Sequence, residues 1–123
     1  MEKGRVLIVG CDKDSAYAIR NVFELEHIEL ELALMLEVAK SVLLERHIDL
    51  IIIDARLCLQ DDFDLIDFQL DHGLQVPMIL VGGESTGVRR KVRSRRGVKV
   101  HALPADGIRL LEFVRGWAPV IAE

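Results

Sequence analysis

Ile48-Asp49-Leu50-Ile51-Ile52-Ile53-Asp54 is the stretch that decides the fold. Four apolar residues in a row, three of them β-branched, stand between two aspartates. A short apolar run of this kind is the pattern of a strand buried on both faces, as in a parallel sheet. The run stops at Asp54, which puts a carboxylate at the C-terminal edge of that strand. In open α/β sheets this is the edge where ligands and chemistry collect. The plainer alternative is that Asp54 only turns the loop. Gln60-Asp61-Asp62 follows as a polar segment, and a helical pattern begins after it.

Outward from this stretch the same alternation repeats. Arg5-Val6-Leu7-Ile8-Val9 is a second buried-strand run, ended by Gly10, and Asp12-Lys13-Asp14-Ser15 supplies capping residues for a helix carrying Ala16, Ile19, Val22 and Phe23. Ile28, Leu30 and Leu32 alternate with Glu29 and Glu31, the period of a half-exposed strand near a sheet edge. Met35, Val38, Ala39, Val42 and Leu43 form a helical stripe. Beyond Asp54, Phe63, Ile66 and Leu70 mark a third helix with Gly73 as its stop, and Pro77–Val81 is a further buried run. The segment from Glu84 to Arg96 is predicted helical on a thin apolar face of Val88 and Val92. Val98 and Val100 start a fifth strand that Pro104 ends. Asp106 caps a last helix with Leu110, Leu111, Val114 and Trp117 on one side. Strand and helix alternate throughout. The predicted fold is α/β, a five-stranded parallel sheet with flavodoxin-like strand order 2-1-3-4-5 and helices on both faces. In that order Gly10-Cys11-Asp12 meets Asp54 at one edge.

Length and composition narrow the class. The chain has 123 residues, half of them apolar and 29% charged, which fits one domain over 1–123 with a real core. No run approaches the roughly 18 apolar residues of a membrane span, and Met1-Glu2-Lys3-Gly4 leads straight into a strand without the pattern of a signal peptide. Two cysteines make no disulfide framework, so the expected location is the reducing cytoplasm. Neither CxxC spacing nor an adjacent cation marks Cys11 or Cys58 as reactive, and both are taken as small thiols. His27, His47, His72 and His101 share no ligand spacing. There is no paired acid and base, and no Walker or dinucleotide fingerprint follows any strand, so the sequence does not point to an enzyme.

The arrangement resembles the receiver domain of two-component response regulators over nearly the whole chain. Asp49-Leu50-Ile51-Ile52-Ile53-Asp54, with Asp61 seven residues on and then Phe63, is similar to the pattern around that family's phosphoacceptor aspartate. Val76-Pro77-Met78-Ile79-Leu80 is similar to its fourth strand. The resemblance implies that Asp54 is the phosphoacceptor. It would be addressed by a histidine kinase or phosphotransfer protein and form an acyl phosphate, with Mg²⁺ held by acids and a carbonyl. Transferred residue by residue, the metal set is Asp54, Asp12 and the carbonyl of Arg56.

The support around the nucleophile departs from the family. Gly10 and Cys11 take the first two positions where the first strand ends in acids, which leaves only Asp12 at the third. A thiol is a poor Mg²⁺ ligand. Gly82 replaces the hydroxyl residue after the fourth strand, with Ser85 and Thr86 a little further on. Leu103, beside Pro104, replaces the lysine after the fifth strand, and Asp62 replaces the glycine of the turn. These departures imply an atypical receiver, or pseudo-receiver.

Charge is unevenly placed. Arg89, Arg90, Lys91, Arg93, Arg95 and Arg96 are six of the sixteen basic residues, with no acid among them, in a chain of net charge −4. In receivers the fourth helix, fifth strand and fifth helix meet dimer or effector partners. A basic face there fits an acidic protein partner or a dimer mate. Nucleic acid ranks behind these, because no aromatic residues interleave for base stacking. The plain alternative is a solvated helix face paired with the acidic remainder. Two functions follow from the sequence: a receiver switched at Asp54, or a phosphorylation-independent interaction module acting through the basic face.

Overall fold

The structure, a computed structural model, describes residues 4–10, 20, 28–54, 64–81, 100–103 and 112. In chain order the described elements are β1 (Arg5–Val9), β2 (Glu29–Ala33), helix α1 (Leu36–Glu45), β3 (Leu50–Asp54), helix α2 (Asp64–Asp71), β4 (Met78–Val81) and β5 (Val100–Leu103). The strands form one sheet in the order β2-β1-β3-β4-β5 with every neighbouring pair parallel. The helices predicted around 12–26, 84–96 and 106–117 lie outside the described residues, so helices are described on one face only.

Alternation along the strands divides the core. Leu7, Val9, Ile51, Ile53, Met78 and Leu80 cluster with Ala39 and Leu43 of α1 and with Leu65 and Ile66 of α2. Val6, Ile8, Leu50, Ile52 and Ile79 alternate with these, so they belong to the opposite face, and each is at most 1% exposed. Both faces of the central strands are therefore closed to water. This is why β1, β3 and β4 are apolar runs rather than alternating ones. At the sheet edge, Leu32 of β2 is 42% exposed, although alternation with Glu29 and Glu31 places the leucines on the covered face.

The helices bury narrower faces than their stripes suggest. In α1 only Ala39 and Leu43 are fully buried, while Met35 is the N-cap and, like Val38, faces solvent. In α2 the buried face is Leu65, Ile66 and Gln69, whereas Leu70, predicted to lie inside, is exposed. Gln69 takes the inward position because its Oε1 accepts the N–H of Val76 at 2.7 Å, which ties the helix to the strand entry beyond it. Among the described residues its Nε2 has no hydrogen-bond partner. The helix ends at Gly73, whose φ of 69° is the left-handed conformation of a C-terminal stop, and Leu74 N–H returns to the Gln69 carbonyl at 2.7 Å. Lys40 links the two helices: its Nζ bonds the Asp64 carboxylate and lies 5.6 Å from the centre of the Phe68 ring. The hydrogen bond that Lys40 donates to the Asp64 carboxylate raises the Lys40 pKa above its ordinary value.

Candidate functional site

Asp54 is the last residue of β3, after Leu50, Ile51, Ile52 and Ile53, none of which has any exposed surface. The buried run fixes the strand, and the strand carries the half-buried carboxylate to the C-terminal edge. Register then sets its neighbours. Asp54 pairs with Val81 of β4, and Val81 pairs with Leu103 of β5. One row therefore reads Asp54, Val81, Leu103. Leu103 stands two strand spacings from the acid, about 10 Å. A lysine at 103 would be within reach of an anion on Asp54; leucine offers no charge and no hydrogen bond.

On the other side, Val9 pairs with Ile53, so Gly10 follows into the level of Asp54. Gly10 has φ 71°, and its N–H donates to the Ala33 carbonyl at 2.9 Å. The first position expected to carry an acid is thus not merely missing a side chain. Its backbone has turned into the left-handed region, which a side chain adopts at a cost of roughly 1–2 kcal/mol.

A Mg²⁺ ion takes hard oxygen ligands in a near-octahedral shell, and of the predicted set Asp54 is the one donor among the described residues. Among the described residues no group of three His, Cys, Asp or Glu side chains converges. Asp12 and Arg56, the other two members of the predicted metal set, lie outside the described residues. So do Cys11, Cys58, Asp61, Phe63, Gly82, Ser85, Thr86 and the basic residues Arg89, Arg90, Lys91, Arg93, Arg95 and Arg96.

The other aspartate of the deciding stretch has a separate task, which the sequence did not reveal. Asp49 sits at the N-terminal edge, where its Oδ2 accepts the Arg5 N–H at 2.9 Å and its Oδ1 meets His47 Nε2 at 2.9 Å. Its own N–H donates to the Arg5 carbonyl at 2.9 Å. Asp49 therefore staples the start of β1 to the entry of β3. Asp49→Ala should cost about 1–2 kcal/mol in denaturant unfolding, by loss of a charge-assisted bond to a backbone amide. An open cleft of about 340 Å³ lies at this same edge, lined in part by Leu43, His47, Asp49, Leu74 and Pro77, far from Asp54.

No helix among the described residues is long and apolar enough to cross a membrane. No family model matches the chain, and no curated protein does. Two of the solved structures similar to the chain illustrate the likeness. One is a CheY-like response regulator receiver domain protein from Methanospirillum hungatei, at 19% identity and TM-score 0.67, with 94% of each chain covered. The other is a de novo designed protein of the Rossmann 2x3 fold, at 18% identity and TM-score 0.66, covering 94% of this chain and 90% of that one. A backbone shared almost equally with a natural receiver and a designed scaffold establishes architecture, while function must be argued from the site. By fold, the chain is a flavodoxin- or Rossmann-like α/β protein with a parallel sheet.

Proposed function

We propose that this chain is a receiver-like signalling domain in which Asp54 keeps the phosphoacceptor position of a degenerate pocket, and that it works mainly as a phosphorylation-independent interaction module. The observation that carries this is the row Asp54, Val81, Leu103. A carboxylate nucleophile needs cationic or hydrogen-bonding neighbours to offset the charge of an incoming phosphoryl group, and a switch needs a group that responds once that charge has arrived. At their two positions in this row, valine and leucine supply neither a charge nor a hydrogen bond. The left-handed Gly10 supports the same conclusion on the opposite side.

A histidine kinase or phosphotransfer protein would be the partner if Asp54 is phosphorylated. The partner of the module would be an acidic protein or a dimer mate at the basic segment 89–96. Its role is signalling by contact, not turnover of a substrate. The intact apolar run ending in Asp54 favours the switched alternative, because it keeps the nucleophile at the reactive edge.

The test is whether a phosphoryl donor moves the sheet. Amide spectra of isotopically labelled protein, recorded with and without a small acyl-phosphate donor and Mg²⁺, should coincide along β4 and β5. A concerted displacement of those resonances that disappears in Asp54→Asn would establish a working switch and overturn the module.

A further inference from the structure

We infer that the free edge of β2 is a self-association surface, at which a second copy of this chain adds its own β2 antiparallel about a twofold axis at Leu32. β2 is an outer strand of the sheet. Its inner side is defined by Glu29 N–H donating to the Gly4 carbonyl and by the Ala33 carbonyl accepting from Gly10 N–H, both at 2.9 Å. Backbone groups alternate along a strand, so those of Glu29, Glu31 and Ala33 face β1 and those of Leu30 and Leu32 face outward. Among the described residues no backbone hydrogen bond reaches that outer side.

Proteins usually blunt such an edge with charge. Here both acids of the strand are already engaged within the chain, Glu29 by Arg5 and Glu31 by Arg46. What the edge presents beside them is apolar: Leu32 is 42% exposed, and Leu34 and Met35 just beyond it are 65% and 59% exposed.

The register selects the occupant. The outward backbone groups of Leu30 and Leu32 allow the twofold axis to pass at Leu30 or Leu32, through a hydrogen-bonded pair, or at Glu31, through a non-hydrogen-bonded pair that sets Glu31 against itself. Centring on Leu30 sets Glu29 of one copy against Glu31 of the other, twice, and like charges directly opposite oppose pairing. Centring on Leu32 sets Leu32 against itself, Glu31 against Ala33 and Leu30 against Leu34, so no acid faces an acid. The strand is therefore complementary to its own antiparallel copy, which is what an isologous twofold interface requires. Five residues of edge strand make a small contact, in the weak, transient class.

Sedimentation velocity of the full chain should show monomer at about 10 µM and a growing dimer fraction towards about 1 mM, the range of weak affinity. Leu32→Lys, which places two like charges at the axis, should hold the chain monomeric at every concentration. Leu44→Lys, an exposed change on the outside of α1, should leave association as in the wild type. Leu32→Cys should cross-link two copies on mild oxidation above the wild-type level, since a hydrogen-bonded antiparallel pair brings Cα atoms to about 5.5 Å, within disulfide range. A wild type that stays monomeric to 1 mM, or a Leu32→Lys variant that associates like the wild type, would overturn the inference.

Discussion

Ile52→Ala should lower the unfolding free energy by about 3 kcal/mol, and Ile51→Ala should do the same, although the two side chains lie on opposite faces of one strand. Both residues have no exposed surface. Removing a buried branched side chain forfeits its transfer free energy and leaves a cavity, together worth roughly 2–5 kcal/mol. Ile51 belongs to the cluster that includes α1 and α2. Ile52 pairs in register with Ile8 and Ile79. Equal costs are the energetic signature of a sheet covered on both sides. If Ile52→Ala cost less than about 1 kcal/mol by denaturant titration, that face would be open and the layered architecture wrong.

The second large effect is kinetic. Phosphoryl transfer from a small donor to Asp54 should be on the order of 100-fold or more slower than in a receiver with a complete pocket, because losing even one group that stabilises transition-state charge commonly costs 10²–10³ in rate. Adding Mg²⁺ or removing it with a chelator should change that slow rate little, since Gly10, at the first position expected to carry an acid, supplies no carboxylate for the ion. Reinstating an acid by Gly10→Asp should not repair the site. The left-handed φ of 71° charges the new side chain a backbone penalty before it can bind anything.

What the sequence made legible follows from the physics of burial. β1, β3 and β4 were readable because a strand closed on both faces must be apolar at every position, and such runs are rare. β2 was readable as an edge from its period of two. The helix faces were less so. Apolar residues exceed what α1 and α2 can cover, so Met35, Val38 and Leu70 stand outside while the pattern puts them within. Gln69 went unseen, because its burial depends on one tertiary hydrogen bond to Val76 and a polar residue in a helix otherwise reads as solvent-facing. The site divides in the same way. Asp54 was visible at the end of its run, and Leu103 was visible as the residue before Pro104. Its place in the row of Asp54 needed the register of three strands. Nor could the turn of Gly10, or the staple made by Asp49, be read from residue types, since both are properties of the backbone they join.

The most direct measurement is the intact mass of the wild type beside Asp54→Asn after incubation with a small acyl-phosphate donor and Mg²⁺, under conditions that label an ordinary receiver. A degenerate pocket predicts no phosphate-sized gain, or a trace that accumulates slowly on the wild type alone. Rapid, near-complete gain on the wild type, absent from Asp54→Asn and abolished by chelating the metal, would contradict it. Asp54 would then stand in a working phosphoacceptor site.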